Sequence, residues 1–162
     1  MKAYAKSSDF WPSASELLGE GDELARLSEV SFSQAFAEVF RRYAQALRSR
    51  PLTLEILSWE TVDRNTLTVA MEEVREAVGL ALVAFLSQMN PPKGDWLTIG
   101  NIFSTAIHYL AIRGRKIKTY TGVDIVGDSG WDRLIDGIEF LVSDIDSTDV
   151  SINTNSKLNK ES

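Results

Sequence analysis

Apolar residues recur every three or four positions through most of this chain, in segments bounded by helix caps and helix breakers. The clearest segment begins at Ser31, which has capping-box spacing with Gln34, and stops at Pro51, which cannot continue a helix. Such a repeat is typical of an amphipathic α-helix with one face in a core. The stripe of this segment consists of Phe32, Phe36, Val39, Phe40, Tyr43 and Leu47.

The same reasoning predicts helices in five further segments. A short helix starts after Ser13, Pro51 opens the next one, and Asn65 has the residue type of an N-cap. The glycine-rich run 19–23 is expected to interrupt the chain, and segment 115–128 is predicted to be loop, because its weak strand pattern has no second strand to pair with. The prediction is an all-α bundle of about six helices. The further helical segments are 13–18, 51–63, 65–89, 95–114 and 129–145.

Length and composition predict the domain organisation and exclude some classes of protein. The 162 residues suit one domain, predicted over 1–146, followed by a polar tail at 147–162 that is expected to be disordered. Segment 1–12 reads as the end of an earlier element. The net charge of -6 argues against direct binding of nucleic acid. With neither a signal peptide nor a membrane span, the expected location is cytoplasmic.

Catalytic chemistry has little support in the sequence. The chain has no cysteine and one histidine, so thiolate metal sites and histidine-rich di-iron sites are excluded. No phosphate-binding loop, metalloprotease motif or hydrolase elbow is present. We therefore expect a protein that is not an enzyme and has neither cofactor nor metal.

A polar stripe suggests where a small molecule could bind. His108 lies on an apolar helix, three positions after Thr105. It is either a hydrogen-bonded core or interface histidine or part of a pocket. Trp59 is likewise either a core residue or a pocket residue. The candidate ligand-binding residues, chosen from helix face and chemistry, are Tyr43, Leu47, Trp59, Met71, Val74, Phe103, Thr105 and His108.

The last two helices suggest self-association. Segment 95–114 is apolar on most of its circumference, so it needs cover on two sides. The stripe of the final helix either packs inside the monomer or pairs with a second copy in a symmetric dimer. The candidate interface residues are Trp131, Leu134, Ile135, Ile138, Leu141 and Val142.

Two stretches resemble a known family. The sequence from Phe40 to Gly79, with its Arg-Tyr, Arg-Pro-Leu and Trp-Glu pattern, and the sequence from Leu110 to Leu134, with its Arg-Gly-Arg and Gly-Trp junctions, are similar to the C-terminal domain of TetR-family transcriptional regulators. The resemblance extends over residues 9–145. It implies a domain that binds a small, mostly apolar effector and forms a homodimer through its last two helices.

The resemblance also implies what lies outside this chain. In the family, an N-terminal helix-turn-helix domain binds DNA, and the effector controls that binding allosterically, most often in a repressor. This sequence lacks such a domain, so DNA contact is expected only through the missing part. The alternative is a helical protein-interaction or dimerisation module without a small-molecule ligand.

Overall fold

The computed structural model describes residues 10–158 and the side chains of residues 10–145. This part of the chain is mostly helical, as predicted, with seven α-helices, one 3₁₀ turn at Ser87–Met89 and one small β-hairpin. In chain order the elements are α1 (Ala14–Leu18), α2 (Asp22–Glu29), α3 (Phe32–Arg48), α4 (Pro51–Glu60), α5 (Thr66–Leu86), α6 (Trp96–Gly114), β1 (Thr119–Tyr120), β2 (Val123–Asp124) and α7 (Asp128–Leu158).

The helix starts follow the local signals in the sequence. The Ser31 hydroxyl accepts from the Gln34 N–H and the Gln34 side chain accepts from the Ser31 N–H, which completes the predicted capping box of α3. Asn65 caps α5 by accepting from two backbone N–H groups, and Pro51 is the first residue of α4. Ser13 caps α1. These four start positions are confirmed.

Two short elements differ from the prediction. The run 19–23 does not end regular structure: Gly19 and Gly21 adopt positive φ angles of 80° and 55°, which turn the chain into a second helix, α2. The segment predicted to be loop contains the antiparallel pair β1–β2. Its two turn residues, Thr121 and Gly122, both have positive φ angles, which is the geometry of a tight hairpin turn.

Helix α7 runs further than expected. Its helical backbone continues to Leu158, through most of the segment 147–162 whose composition suggested disorder. That segment contains neither glycine nor proline, so nothing in its backbone forces the helix to stop. Residues 159–162 lie outside the described part, as do residues 1–9 of the predicted N-terminal continuation.

Helix α3 is the centre of the core. It packs most extensively on α7 and also contacts α6, α4, α1 and α5. The predicted stripe of α3 is buried throughout. The segment before α1 is part of this core too, because Phe10 and Trp11 are buried and the Thr53 hydroxyl donates to the Phe10 carbonyl over 2.8 Å.

The hairpin fixes the junction between α6 and α7. The carbonyl of Ile125 accepts from the indole N–H of Trp131 over 3.0 Å. Gly114 and Gly130 leave room for this backbone: a Cβ on Gly114 would stand 2.7 Å from the Ile125 carbonyl oxygen, and one on Gly130 would overlap the carbonyl of Asp124. Within the described residues, no helix has the length and apolar character to cross a membrane.

Candidate functional site

A tyrosine and the single histidine meet between α3 and α6. The Tyr43 hydroxyl forms a hydrogen bond with Nε2 of His108. Trp11 from the N-terminal segment lies against both rings, with ring centroids 6.0 Å from Tyr43 and 5.8 Å from His108. Tyr43 and His108 were both predicted from the sequence as ligand-binding candidates, and in the structure their side chains are in contact.

An ion pair lies close to this hydrogen bond. Arg75 of α5 donates two hydrogen bonds, of 2.6 and 2.9 Å, to the two carboxylate oxygens of Glu60 at the end of α4. Both side chains are partly buried. The hydrogen bonds to Glu60 raise the pKa of Arg75, so the guanidinium keeps its positive charge. Two opposite charges held in this way add almost no net charge to the site.

The environment keeps Tyr43 and His108 uncharged at neutral pH. Burial raises the pKa of Tyr43 far above its usual value; the positive charge of Arg75 opposes this and the negative charge of Glu60 adds to it. Burial, with a smaller contribution from the positive charge of Arg75, lowers the pKa of His108 to about 4. These effects show that Arg75 lies near enough to act on both rings.

The hydrogen bond determines which proton is left for a ligand. A phenol is a stronger donor than a neutral imidazole, and the imidazole nitrogen is a stronger acceptor than the phenol oxygen. Tyr43 therefore donates to Nε2, and the proton of His108 is on Nδ1. Within residues 10–145 this N–H has no hydrogen-bond partner.

Aromatic rings extend from Tyr43 along the inner face of α3. Phe40 stands 6.5 Å from Tyr43 and 6.0 Å from Phe103 of α6, measured between ring centroids. Phe36 continues the series to Trp96, 5.7 Å away at the start of α6. Phe103 and Trp96 are only half-buried. A row of aromatic rings, of which Phe36 and Phe40 are buried, thus connects the polar cluster of Tyr43, His108, Glu60 and Arg75 to the opposite end of α6.

Helices α5 and α6 both pack around this row of rings. Helix α6 packs on α3 and α4, and α5 packs on α4, α1 and α3, but the two helices have little contact with each other. Val78, Leu82 and Phe85 of α5 lie against the core and yet stay half-buried, like Phe103 on the other side. Both helices therefore pack on α3 and α4 and hardly on each other.

The remaining candidate ligand residues divide into two groups. Leu47 and Met71 are completely buried core residues. Trp59, 59% exposed, Val74 and Thr105 lie on the outside, so they are not part of an internal pocket. Helix α4 buries only the face carrying Leu54, Ile56 and Leu57, which turns Trp59 away from the core. The polar stripe that led to Thr105 faces solvent except at His108.

Arg75, and Trp11 which packs on Tyr43 and His108, were not among the site residues predicted from the sequence. Arg75 lies among the charged residues Glu72, Glu73 and Glu76 of α5, and Trp11 belongs to a segment without an evident helix pattern. Glu60, which follows Trp59 at the end of α4, pairs with Arg75. The adjacent aromatic and proline at Trp11 and Pro12 were the available signal of a buried extended segment.

The predicted interface stripe of α7 is mostly internal, which corrects the prediction for four residues. Trp131, Ile135, Ile138 and Val142 are buried against the single chain, because the stripe of α3 requires an apolar partner. Leu134 is half-buried and Leu141 is exposed. The sequence analysis left this monomer packing open as the alternative.

A different set of apolar side chains on the last two helices faces outward. Phe140 is 68% exposed and Ile102 is 61% exposed, which is high for side chains of this size. Exposed apolar residues occur on α6, on the hairpin and on α7. They are Leu97, Ile102, Tyr109, Tyr120, Val126, Phe140, Leu141 and Ile145.

A small cleft between α3 and α7 has the character of a structural junction. It has room for about 20 Å³, close to the space of a single water molecule. Arg48 spans it, with 2.9 Å to Asp128 and 5.4 Å to the centre of the Trp131 ring. Arg41 holds Asp132 in the same way. Such a cleft is far smaller than the roughly 300–1,000 Å³ of a ligand pocket.

The described residues contain no cluster of three histidine or acidic side chains able to hold a metal ion. No family model matches the chain, and no curated protein or solved structure is similar to it.

Proposed function

We propose that this chain is the effector-binding and dimerisation domain of a TetR-like, cytoplasmic transcriptional repressor, in which a small molecule would control DNA binding by a separate helix-turn-helix domain. The sequence resemblance suggests this class. The observation that carries the proposal is the exposed apolar set on α6 and α7, the two helices that the resemblance assigns to dimerisation. Covering Phe140, Leu141 and Ile102 with a second copy would remove this apolar surface from water.

The polar cluster supports the effector-binding part of the proposal. Tyr43 and His108 join α3 to α6, and Glu60 and Arg75 join α4 to α5, so a ligand here would touch helices on both sides of the core. An effector that binds one arrangement of these helices more tightly than another shifts the population between them. In the intact regulator this shift would alter the spacing of the two DNA-reading domains.

A second candidate function is a helical interaction module without a small-molecule ligand. Leu47 and Met71, two predicted pocket residues, lie fully buried in the packed core, which favours this alternative. Both candidates share the dimer and differ in the ligand.

Sedimentation velocity of the full chain tests the dimer. We expect one species of twice the monomer mass at tens of micromolar protein; a monomer at that concentration would refute the dimeric regulator and the dimerisation module, and would leave a module that binds another protein. A thermal-shift screen of small apolar compounds separates them. Compounds that raise the melting temperature of wild type, but not of a His108→Phe variant, would support the regulator, whereas a screen without such compounds would leave the interaction module.

A further inference from the structure

The outer face of α7 carries residues that are complementary to one another when two copies of the helix run in opposite directions. We propose that α7 pairs with α7 of a second copy of this chain in antiparallel orientation. In this pair Phe140 of each copy packs over Gly137 of the other, and Arg133 of each copy forms an ion pair with Asp144 of the other. This inference rests on the dimer of the proposed function and adds the orientation and register of its two chains.

Helix geometry places these four residues on one stripe, here called the outer stripe. They follow one another at spacings of four, three and four residues, which keeps them on one side of α7. All four are exposed. The buried side of α7 lies opposite and packs on α3; its residues are Trp131, Ile135, Ile138 and Val142. The outer stripe therefore points away from the monomer.

The middle of the outer stripe combines a large side chain with a gap. Phe140 is 68% exposed, and a Cβ on Gly137 would meet no atom within 4 Å. A facing helix can insert a large side chain into such a gap, as a knob into a hole. Leu134 and Leu141 lie beside the stripe, seven residues apart, and would extend the apolar contact along one edge. The gap at Gly137 thus matches the ring of Phe140 in a second copy.

The two ends of the outer stripe have opposite charges. Arg133 lies one turn before Gly137, and Asp144 lies one turn after Phe140. In an antiparallel pair centred between Gly137 and Phe140, each arginine stands opposite an aspartate, and the two-fold symmetry forms this ion pair twice. In a parallel pair, arginine would face arginine and aspartate would face aspartate, which is repulsive. Charge therefore selects the antiparallel orientation.

The length of α7 agrees with this arrangement. Its helical backbone continues from Ile145 to Leu158. In the proposed register, this extension would run past the first turn of α7 in the second copy, towards the β-hairpin that contacts that turn. Tyr120 and Val126 are exposed there. The pairing would thus cover apolar surface beyond the outer stripe, as a stable dimer requires.

Disulfide formation between single-cysteine variants reports the orientation directly, because the chain has no cysteine of its own. Arg133→Cys and Asp144→Cys would be purified separately, mixed in equal amounts and mildly oxidised. We expect a disulfide-linked dimer in the mixture and little of it in either variant alone, since each cysteine faces the other position. Gln88→Cys mixed with Asp144→Cys is the control, because Gln88 is exposed but lies outside α7. Linkage of each variant to itself would indicate a parallel pair and overturn the inference.

Charge reversal tests the same contacts through the dimer dissociation constant, measured by sedimentation equilibrium. Arg133→Asp turns two attractive contacts into two repulsive ones, and we expect it to weaken the dimer roughly tenfold. Adding Asp144→Arg to the same chain recreates both ion pairs and should restore the wild-type constant. In a parallel pair the double variant would gain nothing. Gly137→Leu fills the gap below Phe140 and should weaken the dimer while the helix itself is favoured.

The outcomes separate the register from the dimer. A wild-type dimer that neither responds to charge reversal nor forms the mixed disulfide would overturn the proposed register and leave the dimeric regulator standing. A wild-type chain that is monomeric at tens of micromolar would overturn the register and the dimer together, and the outer stripe would then be a surface for a different protein. The substituted positions are exposed, so unchanged circular dichroism spectra should show that the variants fold.

Discussion

Tyr43 and His108 lie 65 positions apart in the sequence and share a hydrogen bond in the core, the phenol of α3 donating to the imidazole of α6. This bond connects the central helix to a helix of the proposed dimer face. Burial, with a smaller contribution from the charge of Arg75, lowers the pKa of His108 and keeps the imidazole neutral.

Stability should depend on pH through His108. Its folded pKa of about 4 lies below the usual 6.5, so between these values the unfolded chain binds the proton more readily than the folded one. The stabilisation is complete above pH 6.5 and is lost as the pH falls towards 4. Compared with His108→Phe, wild type should lose about 2–3 kcal/mol more in unfolding free energy between pH 7 and 4.5. Urea denaturation measures this; equal losses in both proteins would contradict the burial of a neutral histidine.

The Glu60–Arg75 pair should stabilise the fold more than a surface pair on the same helix. Glu60→Ala leaves the partly buried Arg75 without its partner, and we expect a cost of about 1–3 kcal/mol. Glu55 is the matched control, because it is 52% exposed and pairs with Arg115 over 3.3 Å. Its replacement by alanine should cost about 0.5 kcal/mol or less. Thermal or urea unfolding of the two variants gives the comparison, and similar costs would argue against a special role for the pair.

Gly130 should be intolerant of a side chain. A methyl group there would overlap the carbonyl of Asp124, so the hairpin or α7 must move, and we expect Gly130→Ala to cost about 3 kcal/mol or more. Gly137 on the same helix has open space where a methyl group would lie, with nothing within 4 Å, and Gly137→Ala should stabilise by about 0.5–1 kcal/mol. A Gly130→Ala variant as stable as wild type would contradict the close packing of this junction.

A glutamate on the outer face of α7 should separate the dimer without unfolding the chain. Phe140 is exposed, so Phe140→Glu leaves the monomer core intact while placing a charge in the proposed interface. We expect a monomer in sedimentation velocity with an unchanged circular dichroism spectrum. Gln88→Glu, which adds the same charge far along the chain at an exposed site, should remain dimeric.

A substitution at Ile138, two residues before Phe140, distinguishes the core side of α7 from the proposed interface. This side chain is buried against the rest of the monomer, so Ile138→Glu should unfold the protein, because it places an unpaired charge in the core. A folded monomeric Ile138→Glu variant, or a dimeric Phe140→Glu variant, would mean that the interface lies on another surface.

Local chemistry made the helix starts predictable. The capping partners Ser31 and Gln34 are three residues apart, and Pro51 acts through its own ring, so neither depends on distant parts of the chain. The apolar stripe of α3 was predictable for the same reason, since its spacing is set by the helix alone. The β-hairpin was not predictable, because the positive φ angle of Thr121 is unusual for a threonine.

Local sequence patterns were enough to predict a helical domain, the positions where most helices begin, and Tyr43 and His108 as candidate site residues. Which side of each helix is covered depends on the packing of the helices on one another. Trp59 turned outward because α4 packs by one face, and Ile138 turned inward because α3 required a partner. Periodicity shows that a helix has an apolar side; which element covers that side depends on contacts between residues far apart in the chain.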